Sequence, residues 1–456
     1  MGTVEFQAVV LAAGRGTRLP ELTSDHPKCL LPLGPYPMLW YPLQMLQQHD
    51  FQEVIVVVLE SQKTEIQQTL EKTPLKLKID YATVPSDSDF GTADSLRHIH
   101  DRIKSDVIIV SCDVVTNAKL YPVVSKFRAH NASVAALFFP SGFEAGITVP
   151  GPKTKHKPER DLIGIHPDSE RLLFLASTSD FDEEFVISGH LLRKNEKMNI
   201  HSRLVDSHIY VMKKWVIDYL TKKDNFSTLK GEFLPYIIKK QMSRMSHPSH
   251  IEATSEVGVN LKFEDDIFQY APSNKLEAQI VKASLYNDSV YKEPYGGDLV
   301  RCYAIKAPKD CIGVRTNTTL SYYALNSKIS GLWPQLFPNN DYPLISPNAV
   351  VESRQIKDIA VADNAKLSEK TSLTLTTFGL HCTVNPKVII TNSVIMGHAV
   401  IEEGCKISNS IVCNRAVIKK GSILKNCLIG PSFVVDEEST KEMVHLTNAG
   451  GFMEIE

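Results

Sequence analysis

Residues 6–34 read FQAVVLAAGRGTRLPELTSDHPKCLLPLG and contain the pattern that decides the fold of the first half of the chain. The apolar run that opens this stretch has the length and composition of a buried strand. Gly14 and Gly16 follow the run, where they allow a tight turn and a close approach of the backbone to a ligand. Such a loop can turn backbone N–H groups toward phosphate oxygens, and Arg18 and Lys28 can supply positive charge.

Two common phosphate-binding loops are excluded by the residues that follow the glycines. A Walker loop needs a lysine after the second glycine, and no lysine follows Gly16 there. A dinucleotide-binding fold needs a third glycine at the position of Leu19. Taken alone, the Gly-Arg-Gly turn is also compatible with an ordinary connection between a strand and a helix.

The region around this loop alternates between buried-strand runs and helical patterns. Nearly continuous apolar strands separated by helices are typical of a parallel sheet that is covered on both faces. The pattern predicts a three-layer α/β domain over residues 1–330, with a polar insertion or loop at residues 241–275. The further strand-like runs lie at residues 54–59, 107–111 and 133–139.

The last quarter of the chain has a different period. Aliphatic residues recur in steps of six, six and five from position 344 to position 435, with Val350 and Ile356 early in the series. A helix repeats its apolar stripe every 3.6 residues and a hairpin meander every two, so neither explains this spacing. Three steps per coil predict a triangular parallel β-helix over residues 340–440 and a tail at residues 441–456. A β-sandwich with coincident spacing is the alternative.

The composition narrows the function classes. The chain has 456 residues, of which 43% are apolar, and 50 basic residues stand against 52 acidic ones. The net charge of −2 argues against a protein that binds nucleic acid or an anionic membrane by bulk charge. The apolar stretches have strand length, so we expect no membrane span. The eight cysteines form no CxxC pair and indicate reduced thiols in a cytosolic protein.

The complete N-terminal string closely resembles the signature of the sugar-phosphate nucleotidyltransferases. The matching parts are GxGTRL, LT, PK and LLPLG, and the resemblance extends over roughly residues 5–240 and 300–440. The family often carries a left-handed hexapeptide-repeat β-helix after its α/β domain. The resemblance implies a magnesium-binding role for Asp113, which ends the strand-like run VIIVSCD, and a nucleotide site formed by Gly14, Gly16, Thr17, Arg18, Lys28, Gly91, Thr92 and Ala93.

Three motifs of the family are changed in this chain. The second magnesium carboxylate is expected about eleven residues before Asn326, where the chain has Arg315, and an arginine cannot bind magnesium. The sugar-binding triad EKP is replaced by residues 176–178, which read AST, and the motif N-x-G by residues 206–208, which read DSH. These changes predict a protein that is not an enzyme. No cofactor is then required, although weak binding of GTP with magnesium is compatible with the remaining motifs.

A nucleotidyltransferase-like chain with these changes resembles the gamma and epsilon subunits of translation initiation factor 2B. The strings EFQAVV, GTADSLR, RDLIGI, RLLFL and LVDSHIY favour the gamma branch, and the roughly 20 residues after Val435 are too few for the helical exchange domain of the epsilon branch. The resemblance implies a non-catalytic subunit that supports GDP/GTP exchange on initiation factor 2. Its partners would be an epsilon-like catalytic subunit, the other subunits of the complex and initiation factor 2. Neither a membrane nor nucleic acid is expected as a direct partner.

Two other functions stay open at this point. One is an active sugar-1-phosphate nucleotidyltransferase similar to GDP-mannose pyrophosphorylase, which Arg315 and the absent EKP disfavour. The other is a stand-alone nucleotide-sensing protein that retains the pocket from Gly14 to Lys28. Asp206 and His208 would face the same side of a strand and could form an acid–base pair, although the broken transferase motifs make catalysis there the weaker interpretation.

Overall fold

The computed structural model describes residues 5–152, 160–177, 187, 189–195, 197–243, 267–271, 298–339 and 341–447. These residues form an α/β domain followed by a β-helix, as the two sequence periods predict. In the α/β domain the strands are β1 (Phe6–Leu11), β2 (Pro32–Leu33), β3 (Tyr36–Pro37), β4 (Glu53–Leu59), β5 (Lys78–Val84), β6 (Asp106–Ser111), β7 (Val114–Thr116), β8 (Val134–Pro140), β9 (Asp161–Ile165), β10 (Leu172–Ser177), β11 (Asn199–His201), β12 (Leu204–Met212), β13 (Cys302–Lys306) and β14 (Gly313–Arg315).

Helices connect these strands. They are α1 (Pro20–Thr23), α2 (Trp40–Gln48), α3 (Lys63–Glu71), α4 (Thr92–His98), α5 (Tyr121–Ala129), α6 (Gly189–Lys194), α7 (Lys214–Leu220), α8 (Leu234–Lys240) and α9 (Thr319–Leu336). A π-helical turn at Leu229–Phe233 leads directly into α8.

The central sheet of the domain has seven strands in the order β13-β8-β12-β6-β1-β4-β5. Strands β1, β4, β5 and β6 are parallel, and so are β8 and β13. Strand β12 is antiparallel to both of its neighbours, so the sheet is mixed rather than wholly parallel as predicted. Continuous apolar runs are typical of parallel strands that are buried on both faces, but one antiparallel strand can lie in the same buried sheet, so the sequence missed this reversal.

The sheet is the middle of three layers, which confirms the predicted architecture. Side chains from α4, α7 and α8 form an apolar core with one face of the sheet. Side chains from α2, α3 and α5 form a second core with the other face. The continuous apolar runs of β4 and β6 are therefore buried on both sides.

Three parallel sheets of six strands form the left-handed β-helix. Its strands are β15 (Val350–Val351), β16 (Gln355–Lys357), β17 (Ala360–Val361), β18 (Lys366–Leu367), β19 (Ser372–Thr374), β20 (Thr377–Phe378), β21 (Thr383–Val384), β22 (Ile389–Thr391), β23 (Val394–Ile395), β24 (Val400–Ile401), β25 (Lys406–Ser408), β26 (Ile411–Val412), β27 (Val417–Ile418), β28 (Ile423–Lys425), β29 (Leu428–Ile429), β30 (Val434–Val435), β31 (Thr440–Glu442) and β32 (His445–Leu446).

The 17-residue period sets the stacking of the coils. Val384, Ile401 and Ile418 pair in register on successive coils, each 17 residues after the one before. The first coil is the exception, because Val351 rather than the predicted Val350 pairs with Leu367, and Val350 is 50% exposed. This offset by one residue is confined to the end of the stack.

The corners of the β-helix repeat with the same six, six, five rhythm. From Asp358 onward a residue with positive φ stands at each corner, a conformation that Gly and Asn adopt most readily. Gly404 and Gly421 occupy two of these positions, and the others hold Asp358, Asn364, Lys370, Leu375, His381, Lys387, Asn392, His398, Asn409, Arg415, Asn426, Ser432, Glu438 and Met443. The corner positions thus report the coil period independently of the aliphatic columns.

The structure differs from the prediction at one boundary and within one segment. The coil continues through β31 and β32 to Leu446, past the predicted end at residue 440, because Leu446 follows Ile429 by one full period. Within the predicted polar insertion at residues 241–275, Ile267 and Phe268 form a helical turn that packs into the core of the domain. Most of that insertion, and residues 448–456 of the predicted tail, lie outside the described residues.

One face of the β-helix is covered by the α/β domain. Val394 and Ile411 point outward from their strands, yet each is at most 1% exposed because they pack in a shared apolar cluster with Trp40 and Tyr322. The Tyr323 hydroxyl donates to the Asn392 carbonyl at 2.7 Å across this boundary. We call this contact region the interdomain seam. It explains why Val394, Ile411 and Leu428, which point outward on this face, are apolar.

The predictions on membrane spans and cysteines concern the described residues. No helix within the described ranges is long and apolar enough to cross a membrane. All eight cysteines are free thiols, and seven of them are buried.

Replacing the inward residue Ile401 by Asp should disrupt the β-helix. Ile401 is fully buried between coils, so the new carboxylate would be buried without a partner, at a cost on the order of several kcal/mol. We expect premature proteolysis within residues 344–435 and a lower melting temperature. Val400→Asp is the matched control, because Val400 is the outward residue of the same strand. A normally folded Ile401→Asp protein would contradict the stacking register.

Candidate functional site

The candidate site lies at the carboxyl end of the central sheet, between β1 and β6. From β1 the chain proceeds to β4 and β5 on one side, and β6 then lies on the other side of β1. Such a reversal opens a crevice beyond the carboxyl ends of the two strands, where ligands of α/β proteins bind. The Gly-rich loop at residues 12–18 follows β1, and Asp113 follows β6.

The two glycines of the loop have different structural roles. Gly16 has φ +76°, and a Cβ atom there would lie 2.8 Å from the Thr23 side chain, so this position requires glycine. The Gly16 carbonyl accepts hydrogen bonds from Leu19 N–H at 2.8 Å and from the Thr23 hydroxyl at 3.2 Å. Gly14 is exposed, and a Cβ atom added there would have no neighbouring atom within 4 Å. The loop is therefore held at Gly16 and open at Gly14.

Thr17 and Arg18 extend this open surface. Both residues are exposed. The neighbouring Arg15 reaches in another direction, since its guanidinium donates to the carbonyls of Ser86 and Ser88 at 2.7 and 3.0 Å. Arg15 thus fixes the loop against the connection that follows β5.

Asp113 is paired with two cations at the base of the crevice. The Nζ atom of Lys28 lies 2.5 Å from Asp113 Oδ2, and the Nη2 atom of Arg315 lies 3.3 Å from the same oxygen. The Asp113 side chain is only 1% exposed. The fold thereby brings together three residues that are far apart in the sequence, as their motifs predict.

The charges around Asp113 determine its protonation state. Burial by itself would raise the pKa of the carboxyl group, but the charges of Arg315 and Lys28 outweigh burial and hold that pKa well below its ordinary value. The carboxylate is therefore ionised at neutral pH. Two cations against one anion leave this triad with one net positive charge.

These contacts do not fit a magnesium site. Magnesium is bound by oxygen ligands in a near-octahedral arrangement. Here the second expected ligand is Arg315, a cation that itself contacts the Asp113 carboxylate. Within the part of the chain that the structure describes, no group of three or more His, Cys, Asp and Glu side chains is arranged to hold a metal ion.

Residues 91–93, which the resemblance placed in the nucleotide site, contact another part of the chain. Ala93 N–H donates to the Ser227 carbonyl at 2.9 Å, and the Thr92 hydroxyl accepts from Leu229 N–H at 2.8 Å. A Cβ atom on Gly91 would lie 2.2 Å from the Ser227 carbonyl oxygen. The three residues therefore anchor the segment that leads into the π-helical turn, a role that the motif did not indicate.

A second polar cluster lies beside the triad. Lys230 Nζ lies 2.9 Å from the buried carboxylate of Asp161, which also accepts from Asp206 N–H at 2.9 Å. The Asp206 carboxylate in turn accepts from the Tyr210 hydroxyl and from His208 N–H. Sequence reasoning missed this pair, because the two residues are far apart in the sequence. Asp161 lies in the string RDLIGI, which indicated the gamma branch but no contact, and Lys230 lies in no motif.

His208 has an unusual backbone and side chain. Its φ is +53°, and it stands where the resemblance to the transferases expects a glycine. Its Nε2 atom lies 3.9 Å from Asp206 Oδ2 and makes no hydrogen bond within the described residues. Burial, followed by the charges of Arg315 and Lys230, lowers the pKa of His208 well below its ordinary value. The imidazole is thus neutral at pH 7, and its side chain does not form a hydrogen-bonded acid–base pair with Asp206.

Comparison with known proteins agrees with this geometry. The nucleotidyl transferase family matches residues 7–145, which include the Gly-rich loop, Lys28 and Asp113. The resemblance inferred from the motifs is therefore confirmed for this part of the chain.

The chain is also similar to gamma subunits of translation initiation factor eIF2B. It is 34% identical to the Caenorhabditis elegans protein over 241 residues, which are 52% of this chain and 59% of that protein. It is 34% identical to the Schizosaccharomyces pombe protein over 246 residues, 53% of each chain. The Dictyostelium discoideum protein is 23% identical over 84% of this chain and 89% of its own length. The two more identical matches thus span little more than half of those relatives.

Gly91→Ala should destabilise the site, whereas Gly14→Ala should not. The new methyl group at position 91 would overlap the Ser227 backbone, and such overpacking costs about 1–3 kcal/mol of unfolding free energy. Gly14 has nothing within 4 Å, so its substitution should change stability by less than about 0.5 kcal/mol. Chemical denaturation of the two variants measures the difference. Equal stability of the two would contradict the described packing of residues 91–93.

Proposed function

We propose that the chain is a gamma-type subunit of a translation initiation factor 2B complex. In this role it supports GDP/GTP exchange on initiation factor 2 together with an epsilon-like subunit that performs the catalysis. The similarity to gamma subunits supports the assignment to the complex. The single observation that carries the non-catalytic role is Arg315, whose guanidinium contacts Asp113 in the crevice.

The position of Arg315 bears directly on nucleotidyl transfer. In that reaction a sugar phosphate attacks a nucleoside triphosphate, and metal ions stabilise the charge that develops on the phosphates. An arginine in place of the second carboxylate removes one metal ligand. It also adds a positive charge beside Asp113, the expected ligand that remains. Together with the altered motifs at residues 176–178 and 206–208, this change argues for a crevice that has lost transfer chemistry.

The surface of the β-helix supports a role in assembly. The α/β domain covers one of its three faces, and the other two carry apolar residues that point outward. Ile389 is 43% exposed and Val434 is 45% exposed, on different uncovered faces. Val434 continues a row of outward valines, Val400 and Val417, on one of these faces. A contiguous apolar row of this kind favours contact with another protein.

The proposed assignment also implies a cellular location and a set of partners. We place the chain in the cytosol, with an epsilon-like subunit, the other subunits of the complex and initiation factor 2 as partners. The near-neutral net charge of −2 gives it no bulk attraction to nucleic acid. No membrane partner is proposed.

Release of labelled GDP from initiation factor 2 tests the proposed function. We expect no release with this chain alone, release with the epsilon-like partner alone, and faster release with both, because the catalytic group belongs to the partner. Serum albumin at the same mass concentration replaces the chain as a control for non-specific stabilisation. Full activity of the chain by itself, or no stimulation of the partner, would overturn the proposal.

An active sugar-1-phosphate nucleotidyltransferase is the second candidate. It is favoured by the open loop at Gly14 and by Lys28, both of which stand in the crevice as a transferase would need them. The assay is pyrophosphate release from GTP or UTP with mannose-1-phosphate or glucose-1-phosphate. We expect no turnover, because the loss of metal-stabilised phosphoryl charge removes several kcal/mol of transition-state stabilisation. Robust magnesium-dependent turnover by the pure chain would favour the enzyme instead.

A further inference from the structure

Two adjacent faces of the β-helix carry the same outward apolar pattern. On the face that the α/β domain covers, three successive coils point Val394, Ile411 and Leu428 outward, and each is at most 3% exposed. Six residues further along each of these coils, an outward valine stands on the next face. These residues form what we call the valine row, and they are Val400, Val417 and Val434. The pattern that the α/β domain buries on one face is therefore repeated on a second face.

The described residues leave the valine row exposed to solvent. Val434 is 45% exposed, and the other two members of the row are partly exposed. Lys366 and Thr383 occupy the same outward column in the two preceding coils, so the apolar row is confined to three coils. On the third face, the outward residues of those coils are Lys406, Ile423 and Thr440. A local apolar row of this kind marks a contact surface for another protein segment.

An α-helix that runs along the stack of coils fits the spacing of the valine row. Neighbouring strands of a sheet lie about 4.8 Å apart, so the row advances by about that distance per coil. Side chains at positions i, i+4 and i+7 of an α-helix advance by about 5 Å per step along the helix axis. Helices also cover the neighbouring face, where Leu22 of α1 and Tyr323 of α9 lie in the interdomain seam. We therefore expect the aliphatic stripe of a helix on the valine row.

The charges beside the valine row differ between its two edges. On the edge toward the interdomain seam, at the corner between β26 and β27, Arg415 is exposed and forms no ion pair within the described residues. On the opposite edge both signs occur together, since Glu403 lies 2.6 Å from Lys387 and 3.9 Å from Lys420. The seam-side edge thus presents a positive charge, whereas the opposite edge is of mixed sign. An acidic side chain beside the aliphatic stripe of the helix would complement Arg415.

We propose that the valine row docks an amphipathic helix of the epsilon-like partner subunit, with aliphatic side chains on the valines and an acidic residue opposite Arg415. The inference rests on the proposed function, which requires that partner for exchange. It deepens the proposed function because it assigns the contact to one face of the β-helix and states the chemistry of the partner segment. The row adjoins the interdomain seam, so the docked helix would continue an apolar interface that the chain already forms between its own domains.

The affinity of the purified full chain for the epsilon-like subunit tests the inference. Val417→Asp places a charge in the middle of the row, so we expect the dissociation constant to rise about 10-fold or more. Val350→Asp is the matched control, because Val350 is an outward valine of the same face, is 50% exposed and lies outside the row. It should change the dissociation constant by less than about twofold. If Val417→Asp does not fold, Val434→Asp makes the same test at the most exposed member of the row.

Charge reversal tests the acidic residue of the partner helix. Arg415→Glu should weaken binding about 10-fold through like-charge repulsion, whereas Arg415→Lys should retain most of the affinity. Lys420→Glu is the control on the opposite edge of the row and should change the dissociation constant by less than about threefold. Equal losses from the two reversals would contradict the placement of the acidic residue on the seam side.

Photo-crosslinking identifies what occupies the row. A photoreactive amino acid at position 434 should link to the epsilon-like subunit, in a segment whose apolar residues recur at i, i+4 and i+7. Links to a second copy of the chain or within the chain itself would overturn the inference, and so would unchanged affinity of folded Val417→Asp.

The unaltered chain separates this inference from the proposed function. If the unaltered chain does not bind the epsilon-like subunit, the proposed function fails. If the unaltered chain binds that subunit and the variants of the valine row bind it equally well, the inference fails while the proposed function stands.

Discussion

The buried carboxylate of Asp113 needs compensating charge, and this need links distant parts of the α/β domain. Lys28 reaches it from the segment after the Gly-rich loop, and Arg315 reaches it from β14, which pairs with the strand that directly follows Asp113. Removal of one partner from a buried ion pair typically costs about 3–5 kcal/mol. Lys28 therefore has a structural reason to be present even where no transfer reaction takes place.

The Gly-rich loop is also connected to the β-helix. Helix α1 begins four residues after Gly16, and its Leu22 is buried in the interdomain seam. The thiol of Cys413 on the β-helix lies 3.8 Å from the Glu21 carbonyl of the same helix. The open side of the Gly-rich loop faces the crevice, and helix α1, which follows the loop, packs on the β-helix. A ligand at the loop and a partner on the β-helix would thus act on one connected structure.

The sequence predicts those features of the fold that depend on a short motif or on a repeated spacing of residues. The 17-residue period determines the columns that contain Ile401, and the loop motif determines the turn at Gly16. Contacts between distant segments leave no such local or periodic signal. The sequence therefore could not predict the contact of Ser227 with residues 91–93 or the ion pair of Lys230 with Asp161. The magnesium-binding role of Asp113 was inferred from the resemblance alone. The two cations that contact its carboxylate argue against that role.

Manganese binding followed by electron paramagnetic resonance tests most directly whether two cations have replaced the metal at Asp113. Mn²⁺ takes oxygen ligands as magnesium does, so it reports whether Asp113 serves as a metal ligand. We expect the chain to retain no Mn²⁺ at the crevice and to give the same spectrum as Asp113→Asn. One tightly bound Mn²⁺ per chain that Asp113→Asn abolishes would contradict this expectation, because the carboxylate would then hold a metal in spite of Lys28 and Arg315.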